Sequence, residues 1–392
     1  MTRVYLHALG IINALGSGDG IREGLSCGTR SGVVLRTDFI PGRSVHVAEV
    51  REPLPDISPR YAHYDSRCNQ LLEAAVAQIE HAILMEVDRY GPARVGIVMG
   101  TSTSGIHEGE QARSVYHHTG KLPDGFHYLQ QEISSPSEYL RRKLGLHGPA
   151  WTVATACTSS AKAFASARRL LRLNVCDAVI VGGSDSLSRL TVNGFMALEA
   201  LTKGICNPFS RNRDGIMLGE GAVVLIMSRD PGPVCLIGVG ESSDAHHISG
   251  PDPEGRGAEI AMRAALADAG LSAPDVDYLN LHGTGTLQND YMESHAVYRV
   301  FGGNLPCSST KPLVGHLLGT AGAMEVAFCW LMLTDPAATT RLPPHVWDGE
   351  SDPALAPLNL TGTSSIGGSR CHVMASNSFA FGGSNATVIL AA

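Results

Sequence analysis

Short apolar runs rich in β-branched residues alternate along this chain with stretches whose apolar positions recur every three or four residues. The opening, Met1-Thr-Arg-Val-Tyr-Leu-His-Ala-Leu-Gly10, has a short apolar run that His7 interrupts; with no cleavage site it predicts a first strand rather than a signal peptide. Residues 70–88 have helical spacing, 94–100 read as a strand, and Thr101-Ser-Thr103-Ser-Gly105 reads as a turn. The second half repeats this outline, with a helical pattern over 257–269, a strand over 276–281 and the turn His282-Gly-Thr284-Gly-Thr286. A strand, a turn and a helix follow in each: 151–156 into 158–173, and 306–310 into the stretch after Gly319. Between strands at 221–226 and 234–239 lies Met227-Ser-Arg-Asp-Pro-Gly-Pro233, dense in turn formers. The pattern predicts an α/β protein of two similar halves, residues 1–232 and 233–392.

Composition narrows the class. The 392 residues are 44% hydrophobic and 17% charged, enough for a large core and more than one unit. A net charge of -7 gives no general attraction to nucleic acid or to an anionic membrane. The most apolar window, 321–333, carries Glu325 and is too short to span a bilayer, so a soluble cytoplasmic protein is expected. The nine cysteines include no C-x-x-C pair and no zinc-ligand spacing, which fits a reducing compartment.

One cysteine sits differently from the others. Trp151-Thr-Val-Ala-Thr-Ala156 reads as a buried strand, and residues 161–173 favour helix, so Cys157 falls where strand turns into helix. There the helix dipole lowers a thiol pKa and favours the thiolate; the plainer reading is a buried structural cysteine. His282 and His316 each lie in a glycine-rich loop, and each alone reads equally as a hydrogen-bonded structural histidine.

Together these segments resemble the elongating β-ketoacyl–acyl-carrier-protein synthases of fatty-acid and type II polyketide synthesis. The resemblance spans nearly the whole chain, through Thr155-Ala-Cys157-Thr-Ser-Ser160, Val181-Gly-Gly-Ser-Asp185 and Asn207-Pro-Phe-Ser-Arg211-Asn-Arg-Asp214-Gly215. It continues through Leu218-Gly-Glu-Gly221, His282 to Thr286 with Asn289, Asp290 and Glu293, Lys311 to Gly322, and Asn377 to Asn385. It implies a thiolase-like fold of two duplicated halves in five αβαβα layers. It implies that Cys157 takes the acyl group, with the backbone N–H groups of Cys157 and Phe379 as oxyanion hole. His282 and His316 would stabilise the enolate formed as malonyl-carrier loses CO₂, and Lys311 would orient His316. Thr284 and Thr286 match residues that bind the pantetheine arm, Phe379 matches a gate, and Asp290 and Glu325 match supporting positions. No cofactor is implied beyond the carrier's phosphopantetheine; Asn280, Glu325, Ser376 and Asn377 match positions where some members hold a monovalent cation. The implied partners are an acyl carrier protein and either a second copy or a chain-length factor.

The chain also departs from the family pattern. Leu287-Gln288 stands where proline is common, Ala380 replaces a usual glycine, and 197–213 is shortened. The segment Ser58-Pro-Arg-Tyr-Ala-His-Tyr-Asp-Ser-Arg67 is less basic than the usual carrier-docking surface, with Arg60 and Arg67 remaining. Tyr64 to Leu72 and Ser242 to His247 resemble ketosynthases of aryl-polyene clusters. The alternatives are a non-elongating chain-length partner and a thiolase-superfamily acyltransferase of another pathway. A degradative thiolase would need a second cysteine in the turn 379–385, which has none.

Overall fold

The computed structural model describes residues 3–336, 341–362 and 371–392. The first half holds β1 (Tyr5–Asn13), β2 (Gly16–Ser17), β3 (Val33–Ile40), β4 (Arg43–Ala48), β5 (Val95–Gly100), β6 (Ala150–Val153), β7 (Ala178–Asp185) and β8 (Gly221–Ser228). The second holds β9 (Val234–Ser243), β10 (Tyr278–Asn280), β11 (Pro306–Ser308), β12 (Asn359–Leu360), β13 (Val373–Phe379) and β14 (Ser384–Ala391). Strand neighbours run β6-β5-β7-β8-β1 in one half and β11-β10-β13-β14-β9 in the other. The senses repeat as well: two parallel pairings followed by two antiparallel ones in each series. Equal order and equal sense make the halves two copies of one unit, the thiolase-like arrangement the sequence implies. The sheets are not wholly separate, because β1 pairs with β8 and also meets β9 at Tyr5 and Leu6. Gly232 and Pro233 lie in the turn between β8 and β9.

The helices are α1 (Gly20–Cys27), α2 (Arg67–Ala77), α3 (Glu80–Tyr90), α4 (Ile106–Thr119), α5 (Ser135–Lys143), α6 (Ser159–Arg172), α7 (Arg189–Ala197), α8 (Arg256–Ala269), α9 (Leu287–Phe301), α10 (Lys311–Val314) and α11 (Ala321–Leu333). α6 and α11 pack between the two sheets, α2 and α5 cover the outer face of the first, and α8 and α9 cover that of the second. The result is five layers, with the largest apolar cluster in the middle one. This placement explains why α11 is apolar on every side but for Glu325: every residue except Trp330 is buried. No helix among the described residues is long and apolar enough to cross a membrane. The two middle helices touch closely, since a Cβ added at Gly322 of α11 would stand 2.7 Å from the Ala161 Cβ of α6.

Two expectations change. The helical run 70–88 is two helices, because the Gln78 side chain turns to Ile11, accepting from its N–H at 3.2 Å and donating to its carbonyl at 3.0 Å. The strand expected over 151–156 is not buried: among the described residues β6 has only β5 beside it, at the end of the sheet, and Trp151 is 36% exposed. An apolar composition reads alike for a core strand and for an edge that awaits a partner. The first two residues of the opening run lie outside the described residues.

Candidate active site

Cys157 stands at the turn from β6 into α6, as its flanking residues predict. Ala156 takes a left-handed backbone (φ 52), a conformation costly for a side-chain residue and common where a nucleophile is thrust forward. Hydroxyls hold the turn: Thr158 Oγ1 donates to the Thr155 carbonyl at 2.8 Å, and Ser159 Oγ to the Ala156 carbonyl at 2.6 Å. Thr158 also meets Ser384 Oγ at 2.9 Å, which ties the Cys157 turn to the start of β14.

His316 arrives from the loop after α10. Its N–H donates to the Met217 carbonyl at 2.7 Å, and Gly219 donates back to its carbonyl at 3.1 Å. Gly315 (φ 73) is required here, because a Cβ would stand 2.7 Å from the Gly219 backbone. The ring's Nε2 lies 2.9 Å from the Cys157 sulfur, and its Nδ1 is buried without a hydrogen-bond partner. His282 follows β10, and its ring meets His316 edge-on at 5.3 Å. The Glu293 carboxylate accepts the N–H groups of His282 and Gly283, each at 2.7 Å, and so fixes this turn. The sulfur and one nitrogen of each histidine all lie within 4.8 Å of one another.

Lys311 corrects one expectation. It does not orient His316: its Nζ lies 3.4 Å from His282 Nδ1, also donates to the His282 carbonyl, and meets Glu325 at 2.5 Å. A cation donating to Nδ1 leaves the proton of neutral His282 on Nε2. Burial, reinforced by the Lys311 charge, holds both histidines well below the usual imidazole range. Both are therefore neutral at pH 7.

The thiol corrects another. Burial pushes Cys157 up to about 12, against the Lys311 charge and a backbone N–H hydrogen bond from Phe381, so the expected lowering is not found. The resting pair is a neutral thiol against a neutral imidazole.

The glycine turn holds a third correction. The N–H that reaches the sulfur belongs to Phe381, not to Phe379. Phe379 is the last residue of β13, 4% exposed, with its ring centre 5.9 Å from that of His282. Phe381 sits in the turn, its ring 5.6 Å from Phe195 of α7. Two hydrogen bonds brace that turn: Gly382 N–H to the Ile248 carbonyl at 2.8 Å and Asp244 N–H to the Gly383 carbonyl at 2.7 Å.

A cavity of about 370 Å³ opens over these groups, lined by Cys157, His282, His316, Phe381, Thr284 and Thr286 among others. The two threonine hydroxyls are 3.0 Å apart, and Thr286 caps α9 by accepting from Asn289 N–H. Asp290 supports this wall by accepting from the Phe209 N–H at 2.8 Å and the Gly285 N–H at 3.3 Å.

Sequence reasoning missed two carboxylates. Glu293 was read only as part of a motif. Asp185, fully buried at the end of β7, accepts from the backbone N–H groups of Ser102, Thr103 and Thr320 and from the hydroxyls of Thr101, Thr103 and Thr320. It thereby binds the loop after β5 to the loop that follows His316. Like Glu293, it stands in the sequence only as part of a matching run, Val181 to Asp185. Arg67 is not a free surface cation: half-buried, it pairs with the buried Glu220.

The proposed cation ligands divide. Asn280 Oδ1, Glu325 Oε2 and Ser376 Oγ are buried oxygens without hydrogen-bond partners, and Asn280 and Ser376 are register partners on β10 and β13. An all-oxygen set of this kind fits a hard monovalent ion. The Asn377 side chain does not join it, since its Oδ1 accepts from Thr387 at 2.8 Å.

The sequence matches the family described as β-ketoacyl synthase, N-terminal domain, over residues 38–231, and the corresponding C-terminal domain over 234–344. A nodulation protein E of Rhizobium meliloti is 34% identical over 372 residues, covering 91% of this chain and 90% of that protein. A 3-oxoacyl-[acyl-carrier-protein] synthase 2 of Coxiella burnetii is 30% identical over 412 residues, covering 99% and 98%. Among solved structures, a ketosynthase (ApeO) in complex with its chain length factor (ApeC) from Xenorhabdus doucetiae superposes with TM-score 0.95 at 43% identity, over 100% of this chain and 98% of that one.

Proposed function

The chain belongs to the β-ketoacyl synthase family, and on that premise we propose that it elongates carrier-bound acyl chains on Cys157. The observation that carries this reading is the 2.9 Å approach of His316 Nε2 to the Cys157 sulfur, with His282 beside it.

In the first half-reaction the Cys157 sulfur attacks the thioester carbonyl while His316 Nε2 takes the thiol proton. Neutral His316 can accept it, and a buried thiol at about 12 needs that acceptor. The Cys157 and Phe381 N–H groups face the oxyanion. The carrier's thiolate leaves and collects the proton.

In the second half-reaction malonyl-carrier binds with its pantetheine arm along Thr284 and Thr286. Its carboxylate departs as CO₂, and the enolate oxygen accepts a hydrogen bond from the Nε2–H of His282, which keeps its proton, with His316 alongside. The enolate carbon attacks acyl-Cys157, the 3-oxoacyl carrier forms, and the thiolate released regains one proton from solvent. A cation held by Asn280, Glu325 and Ser376 would offset the Glu325 charge.

The partners follow from the same reading: an acyl carrier protein, and either a second copy or a chain-length factor, the kind of complex in which the Xenorhabdus ketosynthase was solved. We take 1–232 and 233–392 as the two halves of the unit. Intact-protein mass after incubation with acyl-carrier proteins tests the reading. A Cys157-dependent acyl adduct discharged by malonyl-carrier supports it; no adduct from any donor, alone or with a chain-length factor, sinks it.

A further inference from the structure

A second cavity, of about 610 Å³, lies far from the catalytic one. α6 starts two residues after Cys157 and runs to Arg172, which lines this second cavity, so the length of the helix, roughly 20 Å, separates the two. Its walls come from the starts of β1 and β9, the end of β14, the turn at Gly232 and Pro233, and the last turn of α8. Two cations and an apolar surface meet there. Arg3 and Arg172 line the cavity together with Pro233, Cys235, Ile237 and Ala391. Burial raises the Cys235 thiol, and the charges of Arg3 and Arg172 both pull it the other way, so the two guanidiniums converge on one part of the wall.

The positive charge is not matched on the spot. Among the described side chains Asp268 is the one carboxylate in the lining, and it is largely taken. Its Oδ2 accepts the Val239 N–H at 2.9 Å and meets Arg168 Nη1 at 2.5 Å, while its Oδ1 stays 3.7 Å from Arg172 Nη1. The Arg172 Nε–H is buried without a hydrogen-bond partner, and Arg3 pairs with no side-chain carboxylate among the described residues. Other acids at this end are engaged: Glu241 with Arg169, Asp177 with Arg94 and Arg229, Asp230 with Arg89, and Asp277 with the N–H groups of His372 and Val373. Three guanidiniums thus face one carboxylate, and the surplus sits on the two that line the cavity.

We propose that this cavity is a second binding site, for a small amphipathic anion whose carboxylate or phosphate head lies between Arg3 and Arg172 and whose short apolar body lies against Pro233, Cys235, Ile237 and Ala391. The guanidinium fork matches the oxygens of either head, and a largely apolar pocket with a few placed polar groups is the usual form of a small-molecule site. The ligand's charge would answer the surplus that Asp268 leaves, and its head would give the Arg172 Nε–H an acceptor.

Calorimetric titration of the wild type with sodium octanoate and with octyl phosphate tests this, the two arms separating the two heads. At least one should bind, and Arg172→Gln should weaken that binding by about tenfold or more. Arg3→Gln, at an exposed side chain, should weaken it by about threefold and takes the place of Arg172→Gln if that variant fails to fold. Inorganic phosphate, acetate and octanol, each only one part of the ligand, should bind at least about tenfold more weakly than the amphiphile. Octanoate held in the catalytic cavity instead would be indifferent to both substitutions. No binding of either amphiphile, binding that the arginine substitution leaves unchanged, or octanol binding as tightly as the amphiphile would each overturn the proposal. Acylation of Cys157 does not enter the readout, so the site stands or falls apart from the reading of that cysteine.

Discussion

Lys311 Nζ stands 3.4 Å from Nδ1 of His282, and the same atom closes on the carboxylate of Glu325 at 2.5 Å. One buried cation thus sets the tautomer of one histidine while holding a buried anion. Removing the cation alone leaves that anion unpaired, at a cost of about 3–5 kcal/mol. Lys311→Met should therefore lower Tm sharply, and Lys311→Met with Glu325→Gln should recover much of it. Malonyl decarboxylation should stay depressed in both. Recovery of decarboxylation along with stability would show that the lysine acts only as a structural partner.

The two histidines should separate by half-reaction. His316 touches the sulfur, whereas His282 is the fixed Nε2–H donor. His316→Ala should slow acylation of Cys157 itself. His282→Ala should leave acylation nearly intact and slow malonyl decarboxylation by about 10²–10³-fold, the usual cost of one oxyanion donor. Single-turnover assays of each step decide this, and equal loss in both steps from either variant would contradict the division.

Burial raises the Cys157 thiol to about 12, so the thiolate fraction grows with pH well beyond the range of a free cysteine. Alkylation by a small haloacetamide, followed by mass, should keep rising through pH 9. A plateau below pH 8 would mean that the helix terminus outweighs burial.

Gly322 is a close contact of the middle layer, against Ala161 two residues into the helix that Cys157 precedes. Gly322→Ala forces α11 away from α6 and so shifts His316 from the sulfur. A displacement near 1 Å can cost about 10²-fold in rate. The loss should appear in kcat, with KM for the carrier substrate little changed; a pure KM effect would place the defect elsewhere.

His345 is buried between the Pro208 carbonyl at 2.9 Å and the Ser309 N–H at 3.1 Å, and burial holds its pKa down to about 4. A histidine whose folded pKa is depressed contributes stability above its unfolded value of about 6.5, and loses it as pH falls toward 4. The loss approaches about 3 kcal/mol by pH 4. Urea midpoints of wild type and His345→Asn should differ most near neutrality and converge in acid. A constant difference would remove the titration from the account.

Much of this was legible in the residues. Cys157 between an apolar run and a helix-forming run, and His282 and His316 in glycine loops, needed only pattern and resemblance. Phe379 and Phe381 could not be told apart that way. They flank one alanine, and only the turn at Gly382 (φ 81) decides which N–H swings toward the sulfur. Arg67 read as a surface cation because its partner Glu220 is 153 residues distant. The strand 150–153 read as buried because composition cannot say whether a neighbour strand is present in the same chain. Asp185 was invisible as a hub, since its partners come from two loops that meet only in the folded protein.

The repeated strand order has a consequence for how the enzyme can be divided. Each copy sends a middle helix toward the same point, α6 beginning beside Cys157 and α11 a few residues after His316. Cys157, the nucleophile we propose, belongs to one copy and both imidazoles to the other, so on that reading the reaction takes place at a seam and not inside either unit. A chain cut between Gly232 and Pro233 yields two fragments that are each chemically mute. Activity after mixing the fragments would report directly on how well the seam reassembles.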